Sequence, residues 1–160
     1  MMGIVTLMIE PWLAIPGELF CCVVAYSMDA KWKEAAMQQW LWIGFAGAFG
    51  ALARYSLTGF VQRLLGSSFP WGTFVVNVLG SFLFGLIWSL AEGRLALTPQ
   101  TRTIVLTGFM GAFTTFSTFV FETGELIRDA QWTLALGNIA LQVMVGLVCL
   151  FVGRIAGQQI

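Results

Sequence analysis

The chain has no histidine, and charged residues make up only 10% of its 160 positions. Without imidazole, the commonest metal ligand and general base are missing, which removes the usual metal-centre and His-based catalytic readings. The three cysteines, Cys21, Cys22 and Cys149, form no CxxC pair. Their odd number and the adjacency of two of them argue against a disulfide framework. Basic and acidic residues balance at 8 each, with no basic block, so nucleic acid is excluded as the natural partner. A soluble domain carries about 25% charged residues to cover its surface. Here 58% of residues are hydrophobic and the mean hydropathy is +0.84, which makes an integral membrane protein the natural class.

Four apolar stretches of spanning length follow one another: Trp40–Phe60, Trp71–Ala91, Pro99–Leu126 and Thr133–Val152. Short polar connections such as RLLGSSFP separate them. Thr98-Pro99 reads as an N-cap with proline at the first helical position of the third span, and Asp129 as an N-cap for the fourth. The chain thus divides into a four-helix membrane domain, residues 40–160, and an N-terminal extension, residues 1–39. The extension is broken by Glu10-Pro11 and Pro16, lacks the positive n-region of a signal peptide, and contains Met37, a candidate start three residues before the first span.

Small residues four apart recur at Gly47/Ala51, Ser81/Gly85 and Gly108/Ala112, the spacing that lets membrane helices approach closely. The GxxGxxG at Gly44, Gly47 and Gly50 follows no strand and is not a nucleotide loop. Lys31, Lys33, Arg94, Arg102 and Arg154 fall on one side of a four-span topology and Arg63 and Arg128 on the other, with Arg54 inside the first span. If the chain starts at Met37 the two lysines drop out, and the positive-inside rule then gives almost no orientation. Such a chain can insert either way round and pair antiparallel with itself.

Polar residues inside the spans are expensive and point to function. They are Arg54, Asn77, the cluster Thr114, Thr115, Ser117 and Thr118, then Glu122, and Asn138 with Gln142 on one face of the fourth span. Any one of them is ordinarily accounted for by helix packing or back-bonding to a carbonyl. Four hydroxyls within five positions, plus Asn77, are better explained as a polar track across the bilayer. Amide and hydroxyl donors can replace the hydration shell of a small anion. Phe116 and Phe119 can add ring edges, the positive part of the aromatic quadrupole, although phenylalanines at this spacing more often face lipid or pack. A helix break at GAFTT would free carbonyls able to hold a cation such as Na⁺.

Three stretches, GAFGALARY, GTFVVNVLGSFLFG and GFMGAFTTFSTFVFE, resemble the CrcB/Fluc family of fluoride channels in order and spacing. The resemblance covers about Met37 to Gly157. It implies an all-α integral membrane protein with four transmembrane helices per subunit and a break in the third, assembled as an antiparallel, dual-topology homodimer. It implies passive, fluoride-selective export across the bacterial inner membrane through two pores, lowering cytoplasmic fluoride and giving fluoride resistance. Carried over by motif, Asn77, Thr73, Phe116, Phe119, Ser117 and Thr118 would form the fluoride pathway. Arg54 and Glu122 would belong to the vestibules. The carbonyls of Gly111 and Thr114 would hold a structural Na⁺ at the dimer interface. Two departures stand out: Ala112 replaces the family's second glycine at the break, and Asn138 and Gln142 stand where many members have tyrosine or serines.

The rival reading is a small multidrug-resistance-type, proton-coupled exporter. That mechanism needs a membrane carboxylate, and the first two spans have none in their interior. A scaffold subunit would leave the hydroxyl cluster unexplained. An enzyme is disfavoured because no nucleophile–base pair is found.

Overall fold

Every described element is a helix. The computed structural model describes residues 30–93 and 97–159, so most of the proposed 1–39 extension lies outside the described residues. Helix α1 runs Ala30–Leu65 and α2 runs Trp71–Glu92. The third element, α3, covers residues 99–113 as Pro99–Thr103, a wider π-helical segment Ile104–Met110, and Gly111–Phe113. Helix α4 is Phe116–Arg128 and α5 is Trp132–Gln159.

Among the described residues, α2, the run Pro99–Arg128 and α5 are long and apolar enough to cross a membrane. The expected first span, Trp40–Phe60, lies within α1, where Arg54, Tyr55 and four glycines dilute its hydropathy.

Helix ends follow local chemistry. Thr98 caps α3 as expected: its Oγ1 accepts from Thr101 N–H at 3.2 Å, with Pro99 at the first helical position. Gln62 seals the turn after α1 by donating from Nε2 to Gly66 O at 2.7 Å and Phe69 O at 3.1 Å, while its Oε1 accepts from Gly72 N–H. Gly66, at φ 87, takes the left-handed backbone that ends α1. Asp129 does not cap α5. It closes α4, its N–H bonded to Glu125 O, and Ala130 then turns the chain at φ 57. The helix C-terminus claims the residue because α5 begins only at Trp132.

Residues Gln39–Ile160 pack as one unit. Its core is Val76, Leu106, Met110 and Phe113, flanked by Ala53, Leu57 and Leu83. Glycine packs the helices as the small-residue spacing predicts. A methyl on Gly85 would strike Leu150 O, and one on Gly153 would strike Phe82 O, so α2 and α5 touch backbone to backbone. Gly50 lies equally close to Phe109 O, joining α1 to α3.

Candidate functional site

The membrane run Pro99–Arg128 is interrupted at Thr114 and Thr115, both in extended conformation (φ −80, ψ 160 and φ −150, ψ 116). This is the break anticipated around GAFTT. In a continuing helix Thr115 N–H would bond Gly111 O; here it donates instead to Asn77 Oδ1 at 2.8 Å. Asn77 returns a bond from Nδ2 to Thr115 O at 3.0 Å. The break is therefore pinned to the first third of α2 by one amide side chain, which meets the demand that irregular backbone at membrane depth be satisfied internally. Gly80, one turn on, leaves room for the methyl of Thr114.

Thr115 also starts the next helix. Its Oγ1 accepts from Thr118 N–H at 3.3 Å and pairs with Thr118 Oγ1 at 2.9 Å and Ser117 Oγ at 3.4 Å. The hydroxyl cluster thus serves largely as an elaborated N-cap for α4. The first turn of α4, with its partial positive charge, lies beside the polar groups of α2.

Helix α5 joins through Asn138 and Gln142, its two departures from the resemblance. Asn77 Nδ2 also donates to Gln142 Oε1 at 2.8 Å, and Gln142 Nε2 to Asn138 Oδ1 at 3.4 Å. Asn138, fully buried, donates from Nδ2 to Thr123 Oγ1 at 2.9 Å, and Thr123 donates to Phe119 O at 2.7 Å.

Among the described residues, two open clefts border the break and another lies farther along α4. One, of about 340 Å³, brings together Asn77, Phe116 and Phe119 with Ser81, Phe84 and Gln142. Its two rings sit 5.7 Å apart, tilted at 54°, with Phe116 76% exposed. A second, of about 710 Å³, gathers Arg54, Thr73 and Thr118, together with Arg63 and Tyr55. Glu122 lines a third cleft with Glu125 and Asp129. Thr73, buried, bridges the second and third by donating from Oγ1 to Glu122 Oε1 at 2.8 Å, while Glu122 Oε2 is buried with no hydrogen-bond partner among the described residues. Ser117 is exposed and borders none of these clefts. Ser81 was missed as a site residue, although it stands four positions after Asn77 and on the same helix face. Its Oγ donates to Asn77 O at 2.8 Å.

Among the described residues no three His, Cys, Asp or Glu side chains gather as a metal site. Gly111 opens the last helical turn before the break and Thr114 is the first residue of the break itself.

A family model described as CrcB-like protein, Camphor Resistance (CrcB), matches residues 41–154. Among curated relatives, a protein of Nitrosococcus oceani named fluoride-specific ion channel FluC is 60% identical over 116 residues, covering 72% of this chain and 93% of that protein. A protein of the same name from Solidesulfovibrio magneticus is 52% identical over 118 residues, 74% of this chain and 94% of its own. Another from Desulforapulum autotrophicum is 49% identical over 122 residues, 76% and 98% respectively. With its apolar helices and bacterial relatives, this is a multi-pass bacterial membrane protein, and it belongs to the CrcB family.

Proposed function

We propose that the chain is a passive fluoride-selective channel of the bacterial inner membrane, which lets fluoride leave the cytoplasm down its gradient. What carries the reading is the gathering of Asn77, Phe116 and Phe119 around one cleft in a chain 60% identical to a named fluoride channel. Donor groups and ring edges suit a small, strongly hydrated anion that must be stripped of water. Thr73 and Thr118 continue the pathway through the second cleft, with Ser117 linked to it through Thr115 Oγ1 at 3.4 Å, while Arg54 draws anions into one mouth and Glu122 borders the other.

The working unit in this reading is an antiparallel homodimer with two pores, each subunit crossing the membrane four times, α1 included. The exposed Phe116 ring and the exposed Gly111 at the same break favour a second copy that completes the site. The carbonyls of Gly111 and Thr114 fit a structural Na⁺, since Thr115 N–H has turned away from Gly111 O and left a hard oxygen donor free. When bound, Na⁺ would supply positive charge shared between the two subunits.

Purified protein in liposomes tests the reading. Rapid fluoride efflux at a fluoride electrode, with chloride retained and no dependence on a pH gradient, is expected. Retained fluoride from folded dimers overturns it, and flux driven only by a pH gradient points to the proton-coupled exporter.

A further inference from the structure

We infer that Arg102, held over the Trp88 ring where α2 ends and α3 begins, binds a phosphate group, supplied in the membrane by the headgroup of an anionic lipid. The inference stands apart from the channel reading. Its first support is a fixed platform. Trp88 is half-buried against the core of Val76, Leu106, Met110 and Phe113. It also stacks on Phe84, with ring centroids 6.3 Å apart and planes 13° from parallel. The Arg102 guanidinium carbon lies 3.7 Å from the centre of the Trp88 ring, a cation–π contact that orients the charge and spends no N–H donor.

The donors are still available. Among the described residues none of the N–H groups of the Arg102 guanidinium meets a hydrogen-bond acceptor. The nearest carboxylate oxygen, Glu92 Oε1, stands 3.9 Å from Nη2 on a half-exposed side chain. Arg128 shows the contrast, since it is bonded to both Glu125 and Asp129. Position selects the ligand. Glu92 is the last residue of α2, and Arg102 lies one turn into the run that starts at Pro99. Both are spanning elements, so Trp88 and Arg102 fall at the depth where tryptophan and arginine meet lipid phosphates. A phosphate fits the guanidinium fork with two oxygens, and the loose Glu92 contact is one it can displace.

The test is native mass spectrometry of the purified protein with phosphatidylglycerol and phosphatidylcholine added in equal amounts. Wild type should retain phosphatidylglycerol preferentially. Arg102→Gln should weaken that retention about tenfold, the loss of a hydrogen-bonded charge. Arg102→Lys should recover only part, because an ammonium lacks the fork. Glu92→Gln removes the internal competitor and should tighten binding, whereas a purely structural tie between the two residues would loosen it. A wild type without preference overturns the inference, as does an equal loss in Arg154→Gln, an exposed arginine on α5. Release of the lipid by millimolar inorganic phosphate would assign the site to the free ion and overturn the lipid as its ligand. A further measurement does not depend on the variants folding. In ¹⁵N-labelled wild type, phosphatidylglycerol should shift the Arg102 Nε–H resonance and phosphatidylcholine should not; an unmoved resonance overturns the site.

Discussion

Asn77 and Thr115 hold each other through two hydrogen bonds, Thr115 N–H to Asn77 Oδ1 at 2.8 Å and Asn77 Nδ2 to Thr115 O at 3.0 Å. One side chain thereby replaces the helical bonding that the break gives up, across 38 positions of sequence. The break and the candidate ion site are for this reason a single structural unit.

Asn77→Asp should abolish fluoride flux. The substitution removes both N–H donors of the Asn77 amide, to Thr115 O and to Gln142 Oε1, and sets an anion in the anion's way. The lost bonds to buried groups should cost about 1–3 kcal/mol of stability. Flux measured beside a detergent or denaturant melt checks both effects, and wild-type flux would place Asn77 outside the pathway.

Phe116→Ile should cut flux at least severalfold while leaving the fold intact. The ring is 76% exposed in the subunit, so little packing is lost with it. Undiminished fluoride efflux, measured with the same electrode, would remove that ring from the pathway.

Thr115→Val keeps the shape of the side chain and deletes the oxygen that caps Thr118 N–H. Loss of an N-cap should cost about 1 kcal/mol. Unfolding in a graded denaturing detergent should shift to lower concentration, and an unshifted transition would show that the cap contributes little.

Gly153→Leu should prevent assembly of a stable protein. Any side chain there meets Phe82 O, and overpacking of this kind costs about 1–3 kcal/mol or more. Size-exclusion chromatography would show aggregate in place of a monodisperse peak. Gly124→Ala, at a glycine with open space around it, should leave that peak unchanged.

The sequence made the helices and the interruption legible because both rest on local signals. Apolar run length announced α2, the third run and α5, and Thr98-Pro99 announced the start of α3. The extended pair Thr114-Thr115 fell where glycine and hydroxyls had been read as a break. Asp129 misled because its preference for a cap says nothing about which helix end it serves; the competing terminus of α4 took it. The amide chain was out of reach for a different reason. Asn77 meets Gln142 across 65 positions and Asn138 meets Thr123 across 15, and no periodicity encodes such pairings. The two α5 residues that depart from the family pattern, Gln142 and Asn138, tie α5 to α2 and to α4.

The glycine-mediated seam between α2 and α5 divides the protein mechanically. Gly85 faces Leu150, Gly153 faces Phe82 and Gly157 faces Leu86, so the two helices are locked along more than a turn of backbone. These helices form two walls of the cleft around Asn77 and Gln142. The third wall carries Phe116 and Phe119 and hangs from the two extended residues that precede α4. The helix pair is a rigid frame, and the aromatic wall is fastened to it at two points, Thr115 to Asn77 and Thr123 to Asn138, so the width of the cleft is set by two amide side chains.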